Sequence, residues 1–200
     1  MFELPPWVPY YTAHTLWRYV VSNEEIIERV RQRAKKNFSL GYNCSETVFE
    51  AVLGEMDLDL PPEAVRLATG FGGGVGLYGD SCGAITGAVL AVGAVHGRRS
   101  LPEGESKEAV AAKSKEQFYG RPGLYRMFNQ IPNRIGEKYG STLCRELTKK
   151  WQKDWLCREH ALSCREIMMD AASIAAEMIL SDANEMMNRP FGKNVEGMED

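Results

Sequence analysis

Residues 79–87 read GDSCGAITG and place Cys82 directly after an Asp-Ser pair, where a glycine-dense loop runs into an apolar helical pattern. Cys44 follows Asn43 in GYNCSET, and Cys144 lies three residues after Ser141 in GSTLCREL. Each of these stretches predicts the start of a helix. The first turn of a helix carries unpaired N–H groups and the positive end of the dipole. A thiolate there is stabilised, and its pKa can fall well below the usual value of about 8.5. Because the thiolate is both the nucleophile and the metal-binding form, three such placements point to thiol chemistry. Cys82 is the candidate reactive thiolate, since helix start and glycine access coincide there, and Cys44 is the candidate resolving partner. The competing reading is that each cysteine is a small apolar filler.

Cys164 differs, because the pattern places it inside a long helix. His160 lies four residues before it and Cys157 seven before it, so all three can share one helical face. A histidine at that spacing more often packs or faces solvent than ligates, so His160 and Cys157 stay outside the candidate set.

Glycines surround Cys82. Gly74, Gly76, Gly79, Gly83 and Gly87 are the positions where backbone could approach a cofactor or a second chain segment closely. Gly83 and Gly87 are spaced i, i+4 and leave one helical face nearly bare, for a second helix or a flat cofactor. The stretch GVGLYG at 74–79 matches G-x-G-x-x-G, but no strand precedes it and no βαβ unit follows, so a dinucleotide site is set aside.

The elements that must position these thiols read as helices throughout. Ser22 or Asn23 caps the first, with Ile26, Ile27 and Val30 as its apolar stripe. Asn43 and Glu46 form a capping box for the second, and Val48, Phe49, Val52 and Leu53 form its apolar face. PPEAVRLATGF reads helical, with a proline in its first turn. An apolar helix follows from about residue 81 to 96. Further helices fit KEAVAAKSKEQFYG and LYRMFNQIPNRIGEKYG, the latter kinked or broken at Pro132, and a short one is capped by Ser141. A long helix around 158–187 carries Ile167, Ala171, Ile174, Ala175 and Ile179. The expected fold is all-α, a compact multi-helix bundle around a central Gly/Ala-rich buried helix. Residues 1–20 form an aromatic N-terminal arm, 21–188 one helical domain and 189–200 a flexible tail.

The chain of 200 residues, 44% hydrophobic, can build a core without disulfide staples. A net charge of −3 gives no general attraction to nucleic acid or anionic membrane. The longest apolar run, residues 82–95, is too short to span a bilayer. No secretory signal is read at the N-terminus, so a reducing, cytoplasmic setting is expected. There, five cysteines act as ligands, redox centres or core rather than as structural disulfides.

Cys44, SCGAITG with Cys82, GSTLCREL with Cys144 and CREIMMDAA with Cys164 together resemble the C-GCAxxG-C-C family, over roughly residues 25 to 180. The resemblance implies a redox-active protein whose four characteristic cysteines are Cys44, Cys82, Cys144 and Cys164. Members are small and often encoded near transporter genes. Related segments accompany haem in split-Soret-type cytochromes, but this chain has no Cys-x-x-Cys-His for covalent haem attachment.

Three functions are open on this reading. The first is thiol–disulfide or electron-transfer chemistry by a cluster of four thiols, an oxidoreductase with a redox partner. The second is an iron–sulfur cluster or other metal held by Cys44, Cys82, Cys144 and Cys164. Four thiolates are the usual complement for such a site, although spacings of 38, 62 and 20 residues differ from compact metal-binding motifs. The third is a non-enzymatic accessory or sensor role in a transport system. Small-residue helices also make a homodimer an expectation.

Overall fold

Helix α1 (Asn23–Ser39) starts where its cap was expected: Ser22 Oγ accepts the Glu25 N–H at 3.2 Å. The computed structural model describes residues 21–195, so the aromatic arm at 1–20 and the last five residues lie outside the described residues. Helix α2 (Cys44–Glu55) is closed by the Asn43/Glu46 capping box. The prolines of the next segment give a short 3-10 stretch, Pro62–Leu67, rather than an α-helix, and a second 3-10 turn spans Thr69–Phe71.

Helix α3 (Gly83–His96) buries Ala84, Ile85, Ala88, Ala91 and Val92 and is apolar nearly all round, as a central helix must be. It lies between α2 and α7 (Arg158–Leu180), and α1 packs on both of those, so α1, α2, α3 and α7 form the core of the bundle. Helix α4 (Lys107–Tyr119) has no buried residue. Helix α5 (Leu124–Tyr139) lies against α3 and α7 through Met127, Ile131 and Ile135, all fully buried. The four-residue helix α6 (Cys144–Leu147) and a terminal α8 (Ala183–Asn188) complete the set. The described residues contain no strand, only an isolated antiparallel bridge between Ser81 and Leu143. The all-α bundle with a buried Gly/Ala-rich helix at its centre is thus present.

Three local expectations differ. Pro132 neither ends nor splits α5, because the buried stripe on either side of it holds one continuous helix. The long C-terminal helix stops at Leu180: Asp182 caps a new helix by accepting the Glu185 N–H at 2.8 Å. Ser141 does not cap α6. Its hydroxyl accepts the Leu143 N–H, and Leu143 itself is the N-cap. Past α8 the chain is tied to α5, where Asn129 and Asn133 accept the N–H groups of Gly192 and Lys193.

Candidate functional site

Cys44 is the first residue of α2, set there by its neighbour. Asn43 Oδ1 accepts the Ser45 and Glu46 N–H groups at 3.0 and 3.1 Å, and Glu46 accepts the Asn43 N–H at 3.2 Å. The thiol then meets the start of α3. A Cβ on Gly83 would lie 2.8 Å from Cys44 Cβ and 2.9 Å from the Phe71 carbonyl oxygen. Only glycine permits that approach, which brings the neighbour of Cys82 onto Cys44.

Cys82 is the N-cap of α3, and backbone pairing holds it beside Cys144. Its N–H donates to the Thr142 carbonyl at 2.9 Å, and the Cys144 N–H donates to the Asp80 carbonyl at 2.7 Å. The two cysteines flank the Ser81–Leu143 bridge, one on each segment. A left-handed turn makes room for them: from Gly73 to Leu77, five consecutive residues have φ between +60° and +69°. Glycine adopts this readily at 73, 74 and 76, whereas Val75 and Leu77 are strained by it. A Cβ on Gly74 would come within 2.8 Å of Cys144 Cβ and 2.6 Å of the Asp80 nitrogen.

The glycines thus serve close packing within the chain. Gly83 and Gly87 abut Cys44, Ser45 and Val48 of α2, so a second helix occupies the bare face of α3. Gly74 abuts Cys144 and Asp80, and Gly79 abuts Arg145, while Gly76 is open at the tip. A groove of about 1200 Å³ between α3 and α5 includes Ser81 and Leu143, the chain neighbours of Cys82 and Cys144, and Thr142 in its wall.

Cys164 arrives on α7 with a partner. His160, one turn earlier, points Nε2 at Cys164 Sγ, 3.3 Å away, and its Nδ1 lies 2.5 Å from the Trp155 carbonyl oxygen. The imidazole is only 7% exposed, stacked on Trp151 at 5.5 Å and tilted against Trp155 at 4.3 Å. His160 thus has the packing role expected of it, between Trp151 and Trp155, and in addition a polar contact with the thiol. Cys157 is the N-cap of α7 and accepts the His160 N–H at 3.4 Å.

The four thiols are coupled electrostatically, and burial works against the anionic state expected of them. Like-charge repulsion from Cys44 acts on Cys82, Cys144 and Cys164, and Cys164 also feels Cys82 and Cys144. Burial is nevertheless the larger effect at each. It pushes the Cys82 thiol up to about 12 and raises Cys44, Cys144 and Cys164 as well. Peptide N–H groups favour a thiolate at two of the three expected positions, those of Gly73 and Cys44 itself at Cys44 and those of Ala84 and Ile85 at Cys82, whereas at Cys144 the favourable contact is the Thr148 side chain. They do not outweigh desolvation. All five cysteines are free thiols, with Cys82 and Cys144 buried and Cys44 and Cys164 half-buried. Among the described residues no three Cys, His, Asp or Glu side chains are arranged to hold a metal ion. No described helix is long and apolar enough to cross a membrane.

No curated protein and no solved structure matches the chain. A family model described as "Putative redox-active protein (C_GCAxxG_C_C)" matches residues 42–178, a span that contains all four cysteines. That span is more than half of the sequence, and the chain belongs to the C_GCAxxG_C_C family.

Proposed function

We propose that this protein is a thiol–disulfide oxidoreductase in which two of Cys44, Cys82, Cys144 and Cys164 cycle between dithiol and disulfide. What supports the reading is the electrostatic linkage of four cysteines from α2, the start of α3, α6 and α7: a charge on Cys44 would oppose ionisation of Cys82, Cys144 and Cys164, and charges on Cys82 and Cys144 would oppose that of Cys164. Family membership supports it. Buried thiols with raised pKa values are protonated at neutral pH and therefore stay reduced until a partner reaches them. A cytoplasmic, reducing setting suits such a resting state. The partner is a dithiol or disulfide, on a protein or of low molecular weight.

The test is anaerobic purification with metal analysis and a visible spectrum, followed by thiol titration before and after mild oxidation. The expected result is a colourless protein that loses two of its five titratable thiols, with the new disulfide mapped within the four. An unchanged thiol count would sink the proposal. So would stoichiometric iron with visible sulfide-to-iron absorption, because the thiols would then be cluster ligands.

A further inference from the structure

We infer that Cys164 is the attacking thiol of the cluster and that His160 is its general base. This deepens the thiol–disulfide reading and rests on it for the steps after the first attack.

The argument starts at Trp155. Its carbonyl oxygen can only accept a hydrogen bond, so the contact at 2.5 Å requires the proton on His160 Nδ1. In the neutral ring the lone pair is then on Nε2, the nitrogen 3.3 Å from Cys164 Sγ. The Cys164 S–H donates to Nε2. This is a nucleophile held against a base whose orientation a third group fixes. Trp151 and Trp155 hold the ring on two sides, and a ring face beside an imidazolium favours the cation formed when the proton moves.

No imidazole or carboxylate of the described residues is in contact with the other three thiols. Among the described residues, Cys44 faces the Gly73 N–H, Cys82 faces the Ala84 and Ile85 N–H groups, and Cys144 faces Thr148. Peptide N–H groups stabilise a thiolate but cannot take its proton. In a buried cluster where ionisation is costly, the thiol with a base in contact reacts first. That thiol is the one on α7, not Cys82.

The co-reactant is a disulfide, R–S–S–R′. The Cys164 proton moves to His160 Nε2, and the thiolate attacks one sulfur. A disulfide bond forms between Cys164 Sγ and the sulfur of R–S, the S–S bond of R–S–S–R′ breaks, and R′S⁻ leaves and takes the proton from Nε2. A neighbouring thiol then attacks Cys164 Sγ, forms the internal disulfide and releases RSH. Two protein thiols are oxidised by two electrons, and the disulfide is reduced to two thiols.

The test is a short pulse of glutathione disulfide on the fully reduced full-length protein, with acid quench and mapping of the first mixed disulfide by mass spectrometry. Modification at Cys164 first is expected. In His160→Gln its rate should fall roughly 100-fold, with the slower rates at Cys44, Cys82 and Cys144 unchanged. A folding defect would instead expose and accelerate all of them. Should His160→Gln not fold, the site of first modification in the unaltered protein decides. First modification at Cys82, Cys44 or Cys144, or a Cys164 rate indifferent to His160, overturns the inference. Whether an internal disulfide follows is read separately and bears on the proposed function alone.

Discussion

At Cys82 two effects of opposite sign meet. The helix start offers N–H groups to a thiolate, and burial removes the water that would otherwise solvate it. Burial wins, which explains why position relative to a helix start was a poor guide to charge. The helix boundary was legible in the local sequence, but desolvation was not, because it comes from elements distant along the chain. His160 was hidden for a similar reason. Its spacing from Cys164 was visible, but the Trp155 carbonyl that orients the ring reaches it only because the segment before α7 folds back over the imidazole. At this scale Cys44 is also the candidate resolving thiol. Cys44 is the like charge felt most strongly by each of Cys82, Cys144 and Cys164. Cys44→Ser should therefore still form the mixed disulfide at Cys164 but let it accumulate, at least tenfold over the unaltered protein. Cys157→Ser, which alters an N-cap outside the four, should leave its lifetime unchanged. Quenched mass spectrometry reads both lifetimes, and rapid resolution in Cys44→Ser would reassign the second thiol.

Between elements, the site depends on how closely α3 approaches α2. A Cβ on Gly87 would sit 2.6 Å from the Ser45 carbonyl oxygen, a backbone atom with nowhere to move. Gly87→Ala should therefore cost about 1–3 kcal/mol in denaturant unfolding and raise the accessibility of Cys44 and Cys82 to alkylation. Gly93→Ala is the matched control on the same helix. Its added methyl meets only the Phe128 ring at 3.9 Å, and it should be neutral or stabilise by about 0.4–1 kcal/mol. Equal effects at the two positions would mean that the close contact is not what holds the thiols together. The i, i+4 glycines announced a close neighbour in the sequence, as the Asn43/Glu46 box announced the start of α2, since both are local patterns. The break at Ser181 and the continuity of α5 through Pro132 were not legible. They depend on whether flanking residues are buried, and Met127, Ile131 and Ile135 hold α5 together from the core side.

For the whole molecule, the buried groups fix how stability responds to pH at both ends of the scale. Asp170 on α7 joins two core helices to α5: it accepts from Arg31 of α1 and from Tyr139 of α5, each at 2.5 Å, and pairs with Lys138. Burial opposes its ionisation, but Lys138, Tyr139 and Arg31 together outweigh it and hold the carboxyl below its ordinary 3.8. Its contribution is therefore present above that value and is lost as pH falls through the lower folded one. The thiols act in the opposite sense. Burial raises the Cys82 pKa from 9.0 to about 12, so between those values the unfolded chain has lost a proton that the folded chain retains. Stability then falls as pH rises through this window, since the unfolded state binds fewer protons. Cys82→Ala removes one such group. The variant starts less stable at neutral pH from lost packing, yet its decline between pH 9 and about 12 should be shallower, by up to about 1.4 kcal/mol per pH unit. Urea unfolding across that range measures the slope, and the difference in slopes cancels the tyrosines and lysines common to both proteins. Parallel slopes would mean that Cys82 ionises as freely in the fold as in the open chain. The cluster would then be wet rather than buried, and its thiols would react without waiting for a base.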